Sequence, residues 1–117
     1  MSIETTHGLL APEDINGTAI LGEDGERMGT VDHVVIDPVK GRIAYAVLSF
    51  GGFMGLGEQT YSIPWRSVRF DPDKRAFVTG ITRQQVAEAP ERPDDWHLDR
   101  RWEERTFDHF GVPPYWL

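Results

Sequence analysis

A chain of 117 residues with no cysteine and a formal net charge of −7 has room for one hydrophobic core and cannot hold it with disulfides or thiolate metal sites. Twelve Lys and Arg scattered among nineteen Asp and Glu form no basic stripe, which excludes the electrostatic footprint of nucleic-acid binding or of adhesion to an anionic bilayer. Nothing is apolar for the length of a bilayer crossing, and the start of the chain, with Glu4, His7, Glu13 and Asp14, lacks the basic and apolar regions of a secretory signal; a soluble, cytoplasmic protein is expected, with a place peripheral to the inner membrane as the alternative.

Residues 1–11 read as a flexible N-terminal arm in which Leu9 and Leu10 are the apolar pair available to dock. Strand signals begin at Thr18 to Leu21, and Gly22-Glu23-Asp24-Gly25 turns the chain, Asp-Gly supplying the positive φ of a tight hairpin. Met28 to Asp37 is a second strand, with Val31, His33 and Val35 on one side and Val34 and Ile36 on the other. Asp37-Pro38-Val39-Lys40-Gly41 is another turn. Arg42 to Phe50 follows as a strand apolar on both faces: residues 43, 45, 47 and 49 fall on one side and 44, 46, 48 and 50 on the other, and neither side carries a charge. One face can fill a barrel interior, while the other requires a helix, a tail or a second subunit.

After the glycine-rich stretch Gly51 to Gly57, Gln59 to Ile63 forms a fourth strand stopped by Pro64, and Trp65 is aimed across the barrel end. Ser67 to Phe70 and Ala76 to Thr79, separated by Asp71-Pro72-Asp73-Lys74, are the fifth and sixth. Thr82 caps a short helix with Gln85 three positions later, and Pro90 ends it. Asp94 or Asp95 caps a longer helix running to about Phe110, with Leu98, Trp102, Thr106 and Phe110 spaced by four. The pattern predicts a mostly β fold, a small barrel of five or six antiparallel strands over residues 12–90, with a short helix and an aromatic helical extension over residues 91–117.

Four ordered signatures carry a family resemblance. They are Leu21-Gly22-x2-Gly25-Glu26-Arg27-Met28-Gly29-Thr30-Val31, then Ile36-Asp37-x3-Gly41-Arg42-Ile43-Ala44-Tyr45-Ala46-Val47, then Gly51-Gly52-Phe53-Met54-Gly55-Leu56-Gly57, and Ile63-Pro64-Trp65. Together they resemble the PRC-barrel family, which includes the cytoplasmic domain of the H subunit of photosynthetic reaction centres and many small stand-alone proteins. The resemblance implies a barrel used for protein contact, with no catalytic residue, cofactor or small-molecule substrate to carry across.

The residues themselves offer little chemistry. Gly57 is followed by Glu58 and a strand, whereas a phosphate loop needs Gly-Lys-Ser/Thr entering a helix. His7, His33, His97 and His109 form no metal-ligand spacing, and Ser49, Ser62 and Ser67 lie in no nucleophile elbow. No catalytic, metal or cofactor site is therefore expected. Large apolar side chains in excess of one small core are the better signal: Phe53, Met54 and Leu56 of the glycine-rich stretch, and Trp96, Trp102, Phe107, Phe110, Tyr115 and Trp116 of the extension, pack on their own barrel or contact a partner. The expected role is a non-catalytic scaffold that binds protein, first a second copy of itself as a homodimer. The alternative is a peripheral subunit of a membrane or electron-transfer assembly resembling a reaction centre.

Overall fold

The computed structural model describes residues 8–50 and 59–117. Six strands form one sheet: β1 (Ala19–Leu21), β2 (Arg27–Asp37), β3 (Arg42–Phe50), β4 (Gln59–Pro64), β5 (Val68–Asp71) and β6 (Ala76–Thr79), in the order β4-β3-β2-β1-β6-β5. The first four make an antiparallel meander, and β5 pairs antiparallel with β6. The pairing of β6 with β1 is parallel, at Ile20 with Phe77 and Leu21 with Val78, which corrects the expectation of a wholly antiparallel barrel.

The strand directions explain this exception. Counting along the meander, β4 runs opposite to β1; with β6 parallel to β1, β5 must run the same way as β4. The two edge strands are thus one path, bent by the 3-10 turn Trp65–Ser67 that directly follows Pro64. No hydrogen-bond ladder joins β4 to β5 among the described residues, so the sheet is closed by chain continuity. The hydroxyl of Thr79 donates to the Ser67 carbonyl at 2.6 Å and ties this corner to β6.

Two apolar clusters flank β3. One holds Ile20, Val31, Ala46, Leu48, Ile63, Phe77 and Val86 inside the curled sheet, and the other holds Ala44, Tyr45 and Val47 beneath Trp102 and Phe107. Strict alternation along β2 and β3 fails at two irregularities of register, where Asp32 and Ala44 each lack a cross-strand partner. An extra residue in one strand exchanges the faces that follow it. Val31 and Val34 consequently share the interior, Ile43 joins them, Ala44 moves beside Tyr45, and His33 comes opposite Val47, not beside Val31.

Among the described residues there are three α-helices: α1 (Pro12–Ile15), α2 (Arg83–Ala87) and α3 (Arg100–Phe110). The first was not foreseen; Pro12 opens it, the Asp14 carboxylate accepts from the Ala11 N–H, and Ile15 enters the core. The capping box of α2 is the expected one, with Gln85 N–H on the Thr82 hydroxyl and Thr82 N–H on the Gln85 side chain. The long helix starts later than expected because the chain first makes a 3-10 turn at Trp96–Leu98, after which the Asp99 carboxylate caps Trp102 N–H at 2.9 Å. Gly111, at φ 69°, ends it in the left-handed region that favours glycine. Among the described residues, no helix is long and apolar enough to cross a membrane.

Candidate functional site

The outer face of β3 is covered by the chain's own extension. Trp102 and Phe107, both at most 2% exposed, sit on Ala44, Tyr45 and Val47, with Val35, Trp96, Val112 and Tyr115 around them. Tyr45 anchors this layer: Trp102 and Trp96 meet its ring edge-on at 5.7 and 6.2 Å. The Trp102 indole N–H donates to the Pro90 carbonyl at 3.3 Å, which fixes the linker ahead of the helix. Phe110 packs toward the inner cluster instead, beside the link in which His109 Nε2 donates to the Gln85 carbonyl of α2. Leu98, expected on the same stripe, is 87% exposed because it lies in the 3-10 turn ahead of α3.

The last residues fold back over α3. Tyr115 O–H donates to the Glu103 carboxylate at 2.6 Å, Arg100 lies 3.6 Å from that carboxylate, and its guanidinium stands 3.8 Å above the Trp116 ring. Lys40, in the β2–β3 turn, donates to the Trp116 carbonyl at 2.8 Å, so the tail ends beside that hairpin. Of the proposed contact residues, Trp102 and Phe107 are therefore enclosed, and Trp96, Phe110, Tyr115 and Trp116 keep part of their surface. Phe53, Met54 and Leu56, and also His7, lie outside the described residues.

Sequence reasoning missed the side chains that remain most open at this end. Ile36 and Val39 are 54% and 91% exposed, and Leu117, next to the tethered Trp116, is 71% exposed. The signal was present in Val39 itself, an apolar β-branched residue at a turn position where polar residues dominate.

Titration is perturbed at two tyrosines. Burial, reinforced by the hydrogen bond to Glu103 and its charge, pushes Tyr115 up to about 12. Burial, with Glu103 nearby, also raises Tyr45. The fold favours both neutral phenols, so their contribution to stability is complete below the ordinary tyrosine value of about 10 and is lost as pH rises through about 12 for Tyr115. Thermal melts should fall across that alkaline window, and Tyr115→Phe should flatten the fall; an unchanged slope would contradict the assignment.

The remaining candidates are dispersed. His33 Nδ1 is 2.6 Å from the Asp32 carboxylate at the surface, and His97 stacks on Trp96. The Ser62 hydroxyl is buried with no partner among the described residues. No group of three potential metal ligands occurs among the described residues. A family model described as "PRC-barrel domain" matches residues 8–85. No curated protein matches the chain.

Proposed function

The chain belongs to the PRC-barrel domain family, and on that premise we propose that it is a non-catalytic cytoplasmic scaffold that binds protein, beginning with a second copy of itself. The observation that carries this reading is the exposure of Ile36 and Val39 on the β2–β3 hairpin, with Leu117 exposed at the tail that Lys40 of the same hairpin holds through the Trp116 carbonyl. Removing one such side chain from water contributes about 1.5–3 kcal/mol, so covering several supplies a substantial drive toward association.

A second copy is a chemically suitable occupant. A twofold contact sets a patch against itself and therefore needs both charge signs within it. The hairpin carries Asp37 beside Lys40 and Arg42, which can pair across such an axis even though each chain has a net charge of −7. The enclosed Trp102 and Phe107 support the extension's role as a brace for this surface.

Light scattering on the wild type and on the double variant Ile36→Asp with Val39→Asp tests the contact. Both positions are exposed, so the variant should melt near the wild-type temperature. Twice the 13.3 kDa chain mass is expected for the wild type and a single chain mass for the variant. Equal masses would count against this surface, and recovery of the native chain only within a membrane complex would favour the peripheral-subunit reading.

A further inference from the structure

Asn16 is the single asparagine of the chain, and a glycine follows it. The side-chain amide carbon of an asparagine lies within ring-closing reach of the next residue's backbone nitrogen, and glycine puts no side chain in the way. Both residues are exposed. Gly17, at φ 83°, has nothing within 4 Å of where a β-carbon would stand. A succinimide ring and attacking water therefore both have room.

The closed fold withholds the nucleophile. Gly17 N–H donates to the Val31 carbonyl of β2 at 2.7 Å, and Val31 N–H donates to the Thr18 carbonyl at 2.9 Å. Ring closure also requires the Gly17 nitrogen to eclipse Cβ about the Asn16 Cα–C bond, and a ψ of 131° turns it away. The restraint is a light one. α1 has four residues, too few to hold a helix by themselves. It is fastened by Ile15 in the core, by the Asp14 carboxylate on the Ala11 N–H at 2.8 Å and by the Thr18 hydroxyl on the Asp14 carbonyl at 2.8 Å. Detaching α1 releases the nitrogen and the Asn16 ψ together. We propose that Asn16 is a site of spontaneous deamidation, gated by local opening of α1 from β2.

In the open form the Gly17 nitrogen attacks Asn16 Cγ, gives its proton to water or hydroxide, and expels the side-chain nitrogen as ammonia. Water then opens the succinimide at either carbonyl, giving aspartate or isoaspartate with no change of oxidation state. Isoaspartate adds a backbone carbon between the buried Ile15 and Gly17, and the new carboxylate stands beside Glu13 and Asp14. Ile15 in the core and Gly17 on Val31 then no longer fit one register, so the modified chain keeps α1 detached. The proposal goes beyond self-association, because the change is covalent and is read within one chain.

Peptide mapping of the full-length protein during incubation in mildly alkaline buffer tests the site, with the same chain in urea as the ungated reference. Conversion of amide to acid at Asn16 is expected in both, slower in the folded protein by about ten-fold or more, with isoaspartate among the products. Asp14→Ala and Thr18→Val each remove one fastening of α1 and should speed the folded reaction by about three- to ten-fold, with the rate in urea unchanged. Hydrogen exchange at the Gly17 amide should rise by the same factor in each variant. Thr18→Val decides the matter if Asp14→Ala does not fold. Equal rates in the folded chain and in urea, or a folded rate that does not follow Gly17 exchange across wild type and variants, would overturn the proposal.

Discussion

Trp102→Ala is expected to destabilise the protein by about 3–5 kcal/mol and to loosen the extension from the sheet. The indole is 1% exposed, meets Tyr45 edge-on and holds the Pro90 carbonyl, so its removal leaves both a cavity and an unpaired acceptor. Denaturant unfolding gives the size of the loss. Hydrogen exchange gives its place: protection should fall first across residues 100–110, with the inner core around Ile20, Leu48 and Ile63 keeping its order until global unfolding. A loss below about 1 kcal/mol would mean that α3 does not bear on β3 as described.

Phe77→Ala should be comparably costly, about 3–5 kcal/mol, but global in effect. Phe77 is 2% exposed on β6, the strand that joins β1 to β5, and it receives Trp65 at 5.3 Å and Phe70 at 5.5 Å edge-on. Those rings hold the corner at which the curled sheet meets itself, and no ladder between β4 and β5 is described that could compensate. With a total stability of about 5–15 kcal/mol for a domain of this class, the melting temperature should drop by roughly 10–20 °C. Amide protection should collapse in β1, β5 and β6 together. A variant that loses only local order around β6 would contradict the corner's role.

The contrast between these substitutions shows which features were legible beforehand. All six strands follow from alternation and turn chemistry, and Thr82 with Gln85 marked α2 because a capping box is a local device. The uncharged faces of β3 correctly demanded cover on both sides. What stayed hidden depends on contacts distant in sequence. The parallel pairing of β1 with β6 follows from strand order, and the exchange of faces at Asp32 and Ala44 follows from unpaired residues that a period of two cannot announce. Arg92 lies in the charged stretch Glu91 to Asp95, and only the fold brings its guanidinium over Trp96. The aromatic excess was visible, but its division between enclosed Trp102 and half-exposed Trp116 required α3 to be seated.

We propose that the β2–β3 hairpin remains an adhesive end once the extension has packed on its own barrel. Sedimentation equilibrium of the unmodified chain, from micromolar to near-millimolar concentration, tests it most directly. The account predicts a reversible monomer–dimer isotherm that approaches twice 13.3 kDa at the upper end. A mass of one chain at every concentration would contradict it.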